Sequence, residues 1–338
     1  MKKIIIAVLA VAAMVACSTE QTVVAPKGDA IGFSTFVENS TRANDLTKGN
    51  FDFSVYGLVE KGTDRALIFN DQYVNADGSY TPPQYWIGNA QYYFAAFAPA
   101  TGRTWEYKTT TAHTGTLSFN NETAVANQDL LYAFVKPAAT AEKITAQPEA
   151  VKLTFDHMLS RVMFTFANGF ANNSNIKLEV YDVTITDAIS SADLAIEDGV
   201  PAAAWSNFSE DTFARNFGKV GGETLAQLVD AGVQGGTVSA STEHFYLIPA
   251  TQAYSVTFMV KLYQAGVLLD TYSRTATIPA TTEMKSGMSY NIKTTLTPAN
   301  TSDDGQLYPI VFEVETVNDW ANYTGVDAAV TAPATGNN

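Results

Sequence analysis

The strongest constraint on the fold is an alternation of apolar and polar side chains that recurs along the chain. Its clearest instance is AYSVTFMVKLY, residues 253–263, in which every second side chain is large and apolar. Successive side chains of a strand point to opposite faces, so this alternation predicts strands with one buried face. Two other segments, QYYFAAFAP (91–99) and DLLYAFVKP (129–137), are continuously apolar, as in strands buried on both faces. We therefore predict an all-β fold.

The length and the turn signals predict how the strands are divided. The chain has 338 residues, enough for about two domains. Strand-like segments separated by turn signals are typical of antiparallel β-sandwiches. The segment PAATAEKITAQP, residues 137–148, has low complexity and is bounded by prolines, which indicates a linker. We predict two tandem antiparallel sandwiches, formed by residues 43–147 and 148–338.

The first sixteen residues are predicted to be an export signal rather than part of the fold. Lys2 and Lys3 precede an apolar stretch, 4–15, which is too short to span a bilayer comfortably. The stretch ends in MVAC, with the only cysteine of the chain at Cys17. This arrangement resembles a bacterial lipobox, in which the thiol is lipidated. An ordinary signal peptide followed by an incidental cysteine is the alternative.

A strand-like segment follows the signal, and a polar loop comes after it. Ile31, Phe33, Thr35 and Val37 share one predicted face of this segment. The loop after it, ENSTRANDLTKGN, carries one arginine, Arg42. Residues 17–42 therefore hold a well-made strand and an exposed basic residue ahead of the first predicted sandwich.

The charge of the chain limits its partners. The formal net charge is −14 at pH 7. An acidic protein is repelled by nucleic acid and by anionic membrane surfaces. A lipid on Cys17 is the only membrane contact that the sequence predicts.

The chain shows no pattern typical of a catalytic or metal centre. Its three histidines, His113, His157 and His244, are not at metal-ligand spacing. Asp156 beside His157 could suggest a general base, but adjacent strand residues point to opposite faces, which favours a structural histidine at a strand corner. The acidic turn at 302–306 lacks the spacing of a calcium loop. We expect no enzymatic activity, no cofactor and no metal.

The tryptophans allow one further interpretation. Trp86, Trp105, Trp205 and Trp320, with the many tyrosines, could form a platform on which a sugar stacks. Packing in a sandwich core is the interpretation that we favour for them.

The C-terminal segment ends the set of predicted strands. In LYPIVFEVETVNDW, one face carries Tyr308, Ile310, Phe312 and Val314, with Trp320 at the same parity. A mildly apolar stretch follows, with Val326 and Val330.

In their order along the chain, these features resemble the fimbrillin family, the type V pilins of Bacteroidetes. The resemblance depends on the lipobox, the strand before an arginine loop, an F-x-H-x-L-S-x-V-x-F segment, a strand near the C-terminus and a final F-x-V-x-x-V-x-x-W strand. The matching residues of the last three are Phe155, His157, Leu159, Ser160, Val162 and Phe164, then Gly287 and Tyr290, then Phe312, Val314, Val317 and Trp320.

The resemblance implies a fold and an assembly route. The fold would be two transthyretin-like sandwiches, and the precursor would be an outer-membrane lipoprotein anchored through Cys17. An Arg-specific surface protease would cut after Arg42 and release the strand 31–37. A donor strand from the next subunit would fill the vacated groove. The candidate residues of the donor strand are Tyr308, Ile310, Phe312, Val314, Trp320, Val326 and Val330.

The expected product is an extracellular fimbrium that supports adhesion or biofilm formation. Its partners would be further copies of the chain and any separate anchor and tip subunits. The residues after Trp320 favour a stalk subunit, since a tip has no need to donate a strand. The alternative is a monomeric surface lipoprotein or tip adhesin that binds a glycan or host ligand.

Overall fold

The computed structural model describes residues 30–38, 46–48, 51–123, 128–142, 144, 148–171, 174–220, 229–230, 239–302 and 310–317. These residues form strands and contain no helix. The strands up to residue 157 are β1 (Phe33–Glu38), β2 (Leu46–Lys48), β3 (Phe53–Lys61), β4 (Asp64–Val74), β5 (Gln91–Ala98), β6 (Trp105–Thr111), β7 (Thr114–Asn120), β8 (Leu131–Val135) and β9 (Val151–His157). The all-β prediction is confirmed.

The remaining strands follow in the second part of the chain. They are β10 (Ser160–Asn168), β11 (Ile176–Ile189), β12 (Ser191–Glu197), β13 (Val200–Pro201), β14 (Thr212–Asn216), β15 (Val229–Asp230), β16 (Ser239–Ser241), β17 (Phe245–Leu247), β18 (Tyr254–Gln264), β19 (Val267–Ile278), β20 (Ser289–Leu296) and β21 (Glu313–Val317). The alternation predicted around residue 258 is observed in β18, whose apolar positions are buried and whose others are mostly half-buried.

The N-terminal sandwich consists of two sheets. One has the strand order β2-β1-β9-β8-β5-β3-β4, and the other has the order β13-β12-β7-β6. Between them lies a core that includes Phe97, Tyr107, Leu117 and Leu194. The opposite face of the seven-stranded sheet carries a second apolar cluster, with Phe33, Phe94 and Phe155, to which Trp86 of the connection between β4 and β5 also belongs.

The C-terminal sandwich is built in the same way. Its sheets have the orders β16-β10-β20-β21, with β17 also on β10, and β14-β11-β18-β19, with β15 also on β11. Phe164, Phe166, Val180, Phe258 and Ile292 are fully buried in the core between them. Burial of this kind supplies the main stabilising free energy of a chain that cannot form an internal disulfide.

The chain crosses between the two sandwiches more than once. It leaves the seven-stranded sheet after β9, enters the C-terminal sandwich at β10, and returns at Ser190 to place β12 beside β7. The chain therefore passes from the N-terminal to the C-terminal sandwich after residue 157 rather than at residue 148. Both β9 and the later strand β12 pair with strands of the N-terminal sandwich. The division into 43–147 and 148–338, like the tandem transthyretin-like arrangement, stays a prediction.

Two details differ from the expectations. The proline-bounded segment 137–148 connects β8 to β9 within one sheet instead of joining two sandwiches. Low complexity indicates a connection but not which strands it connects. Two ladders are parallel rather than antiparallel: β1 with β9, and β10 with β20.

Candidate functional site: β1 and the groove that holds it

β1 contains most of the predicted removable strand 31–37, and it lies one place from the edge of its sheet. On one side it pairs in parallel with β9 at five positions, from Phe33 opposite Val151 to Val37 opposite Phe155. On the other side it pairs with β2 at three positions only. Few ladder hydrogen bonds therefore hold β1 on that side.

The side chains of β1 alternate as the sequence predicts. Ile31, Phe33 and Thr35 are buried, whereas Val37 is half-buried. Phe36 lies on the other face, with the Nζ of Lys152 4.7 Å from the centre of its ring. The inward face of this strand is thus apolar at its start and less buried toward its end.

Phe33 is the centre of an aromatic groove. Its ring centroid lies 6.0 Å from that of Phe53, 5.5 Å from Phe69, 5.8 Å from Tyr80 and 5.6 Å from Phe94, most of them edge to face. Edge-to-face contacts add stabilisation beyond the area that the rings bury. Without Phe33, these four rings would line an open apolar slot.

Backbone contacts fix the entry of β1 into the groove. Ile31 N donates to Gln84 O at 2.8 Å, and Val151 N donates to the carbonyl of Gly32 at 2.7 Å. Tyr80 Oη donates to Ile31 O at 2.7 Å. Gly78 has a φ of 85°, and a Cβ there would stand 2.5 Å from Phe33 O. The sequence signals a turn at Gly78 but does not show that this turn borders β1.

The candidate donor residues that the structure describes pack inside their own chain. Ile310 and Phe312 are buried in the C-terminal core, and Val314 of β21 packs against it. The ring centroid of Phe312 lies 5.7 Å from that of Phe164. If these residues were donated to a second copy, they would first have to leave this core.

Several predicted site residues lie outside the described residues. They are Cys17, Arg42, Tyr308, Trp320, Val326 and Val330. Their predicted roles stay predictions.

His157 has a different partner from the one that a catalytic interpretation requires. Its Nδ1 contacts Oδ2 of Asp129 in a short hydrogen bond, and both side chains are mostly buried. Burial raises the pKa of the Asp129 carboxyl, and the hydrogen bond from His157 and the charge of Arg161 oppose that rise. Asp156 is exposed. The pair joins residues 28 apart in sequence, so no local pattern could have indicated it.

The family-like segment around His157 forms the crossing between the sandwiches. Leu159 is fully buried, and its carbonyl accepts from Gly287 N at 3.0 Å. The carbonyl of Met158 accepts from Trp205 Nε1 at 3.1 Å and from Ser286 Oγ at 3.0 Å. These contacts give the motif a structural role.

The residues that the structure describes support neither a sugar-stacking platform of tryptophans nor a metal site. Trp86, Trp105 and Trp205 are between 4% and 8% exposed, which confirms core packing for these three. No group of three or more acidic, histidine or cysteine side chains is placed to hold a metal among the described residues. None of the described residues forms a helix long and apolar enough to cross a membrane.

The comparisons with known proteins agree with the fold. A family model described as Fimbrillin-like matches residues 41–320. A fimbrial protein from Bacteroides vulgatus is similar in structure, with 15% identity, a TM-score of 0.59, and coverage of 86% of this chain and 99% of that one. A putative cell adhesion protein from Bacteroides ovatus shows 13% identity and a TM-score of 0.47, with coverage of 88% and 99%. No curated protein matches. Because the family model covers most of the sequence, the chain belongs to the fimbrillin-like family.

Proposed function

We propose that this chain is a structural subunit of a surface fimbria and that it polymerises by strand exchange after β1 is removed. The observation that carries the proposal is the fit of β1 in its groove. One aromatic side chain, Phe33, fills a slot lined by four rings, yet β1 lies beside a three-residue edge strand. The strand contributes much side-chain burial and few ladder bonds on one side, so another strand of similar pattern can replace it.

Export and processing precede assembly in this proposal. Cys17 carries the lipid that holds the precursor at the outer membrane. An Arg-specific surface protease then cuts after Arg42, which lies between β1 and β2 in the sequence. One cut therefore frees the lipid anchor and β1 together.

Loss of β1 exposes backbone groups and apolar side chains to water at a cost in free energy. The backbone edge of β9 loses its parallel partner, and the rings of Phe53, Phe69, Tyr80 and Phe94 lose the side chain that covers them. Unpaired backbone groups and exposed apolar surface both cost free energy. An incoming strand with four or five apolar side chains would recover about 1.5–3 kcal/mol for each one buried, before ordering costs.

The donor in this proposal is the segment that follows β21 in a second copy. Ile310 and Phe312 are already committed to the core of their own sandwich. Trp320, Val326 and Val330 continue the apolar pattern beyond that strand. Because the donor surface and the acceptor groove lie on different parts of the chain, the contact is heterologous, and a heterologous contact that does not close into a ring generates a filament.

Proteolysis of the purified precursor tests the proposal. Cleavage after Arg42 by an Arg-specific protease should produce ladders that resist SDS, and Arg42→Gln should abolish them. Arg65→Gln is the matched control: Arg65 is exposed but lies in β4 and pairs with Glu60 at 2.8 Å, so its loss should leave the ladders intact. A precursor that is cut after Arg42 and stays monomeric would contradict strand exchange.

Truncation tests the donor separately. Deletion of residues 325–338 should stop chain growth and leave the fold of the monomer unchanged. Circular dichroism and the unfolding midpoint of the uncut monomer control for folding. Ladders of normal length from the truncated chain would place the donor elsewhere.

A further inference from the structure

An apolar recess opens on the N-terminal sandwich, at the end of the sheet where β9 begins. Its volume is about 570 Å³. Trp86 and Val151 are its buried residues, and Ala138 and Ala141 are exposed at its mouth. Apolar pockets of several hundred Å³ are where apolar groups of a partner bind.

Hydrogen bonds hold the rim of this recess in place. Asn89 N donates to Ala141 O at 2.9 Å, and Thr140 N donates to Ala90 O at 2.9 Å. Gln91 Nε2 donates to Pro137 O at 2.7 Å. Residues 137–141 are thus tied to the start of β5 and to the two residues before it, so this side of the recess is formed before any partner arrives.

A complementary feature lies on the C-terminal sandwich, at the tip of the β18–β19 hairpin. The turn consists of Ala265 and Gly266, both with positive φ, which gives a tight two-residue connection. The three residues after it are exposed aliphatics: Val267 is 63% exposed, Leu268 48% and Leu269 53%. Single exposed apolar residues are ordinary, whereas a run of three at a rigid tip marks an interaction surface.

A pair of opposite charges is available at the edges of the two features. Asp270 follows the aliphatic tip and is exposed, and the lining of the recess carries one exposed ammonium group, Lys152, and one exposed carboxylate, Glu149. Opposite charges at the rim of a contact favour encounter and fix its orientation. The tip would therefore enter the recess in the orientation that places Asp270 beside Lys152 and away from Glu149.

We propose that the β18–β19 tip of one copy binds in the recess of the next copy. Every copy carries both surfaces, so the contact is heterologous and repeats along a filament. A contact of one hairpin tip is small, and small interfaces are weak on their own. The tip contact would therefore orient neighbouring subunits, and strand exchange would separately stabilise the filament. The uncut chain already has both surfaces, so failure of this contact would leave the strand-exchange proposal untouched.

Cysteine cross-linking of the full chain tests the contact, with Cys17→Ser to remove the native thiol. Two single variants, Val267→Cys and Ala141→Cys, are mixed under oxidising conditions. We expect disulfide-linked heterodimers from the mixture and a ladder from the double variant. Val200→Cys is the matched control, because Val200 is 67% exposed and also follows a two-residue turn with positive φ, Asp198-Gly199.

Two further changes separate the parts of the contact. Replacing Leu268 and Leu269 by glutamine in the Val267→Cys chain should lower the heterodimer yield severalfold. Asp270→Lys should also lower it, and Lys152→Glu in the partner should restore it. A heterodimer yield no higher than that of Val200→Cys overturns the proposal, as does Val267→Cys linking to itself as readily as to Ala141→Cys. A yield that neither charge change alters overturns the pairing of Asp270 with Lys152.

Discussion

Among the strands that the structure describes, each sandwich contains one parallel pair, and the two pairs differ in how firmly the sheet holds them. In the N-terminal sandwich, β1 pairs with β9 at five positions and has only the short β2 on its other side. In the C-terminal sandwich, β10 pairs with β20 at eight positions, β20 continues to β21, and every residue of β10 is buried. The first pair includes a strand held mainly by its side chains, whereas the second is the centre of a permanent sheet.

In the proposed strand exchange, the difference separates two tasks that the subunit would have to combine. A strand that is to be exchanged must fit well and yet have few backbone bonds to break. A sandwich that carries the load of a filament must keep its strands. The structure assigns these properties to opposite halves of the chain, and substitutions can test each half in turn.

The largest effect is expected in the permanent sheet. Phe164 of β10 is fully buried, and its ring centroid lies 4.8 Å from that of Phe217. Phe164→Ala should lower the free energy of unfolding by about 3–5 kcal/mol, because it removes a large side chain and leaves a cavity. Urea unfolding of the uncut chain measures this loss of stability. Ladders from the cut chain should lose stability as well. An effect confined to either form would contradict the comparison.

A smaller effect, limited to the uncut chain, is expected in the exchangeable strand. Phe33→Ala should cost about 3 kcal/mol, because Phe33 is nearly buried among four rings. Phe33→Leu is the control, with an expected loss within about 1.5 kcal/mol. Ladders formed after cleavage no longer contain Phe33, so their melting temperature in SDS should match that of the wild type. If it falls, β1 remains in the polymer and strand exchange is wrong.

The faces of β1 could be predicted from sequence, but its neighbours could not. Alternation is local, so the burial of Ile31, Phe33 and Thr35 follows from the pattern of the segment itself. The parallel partner of Phe33 is Val151, more than a hundred residues away, and nothing in either segment specifies that pairing. Parallel ladders need long connections, which single-segment patterns do not describe.

The same limit explains the other differences. The turn around Gly78 is local chemistry, and the structure contains it: Gly78 N donates to Asn75 O at 2.8 Å. The expected structural role of His157 at a strand corner agrees with its burial and its hydrogen bond. Its partner and the sheet of β9 depend on how distant segments pack, which no local pattern specifies. The composition of 137–148 indicated a connection, but the strands that it connects are a property of the whole fold.

A change of pH should affect the permanent half through His244. His244 lies between β16 and β17, and burial, followed by the charge of Arg161, lowers its pKa to about 4. As pH falls from about 6.5 to about 4, the unfolded chain binds a proton at this residue and the folded chain does not. The free energy of unfolding should therefore fall over that range, by about 1–2 kcal/mol between pH 7 and pH 5.

Comparison of the wild type with His244→Phe isolates this contribution, because a phenyl ring cannot bind the proton. Urea unfolding at both pH values should show a smaller loss for the variant. The carboxylates that also titrate are common to both proteins and cancel in the difference. An equal loss in the two proteins would mean that His244 is protonated in the fold.

The smallest effect distinguishes what the side chains of β1 contribute from what its backbone contributes. Tyr80→Phe removes the hydroxyl that donates to Ile31 O and accepts from Gln84 N at 3.3 Å, and it keeps the ring beside Phe33. The uncut chain should lose about 1 kcal/mol, the typical net value of such a hydrogen bond. Tyr80 stays in the subunit after cleavage, and any donor strand brings its own backbone carbonyls. Ladders of the Tyr80→Phe chain should therefore melt slightly lower in SDS, although ladders of Phe33→Ala do not. If Tyr80→Phe weakens the uncut chain and leaves the ladders unchanged, the donor strand does not follow the backbone path of β1 at its start.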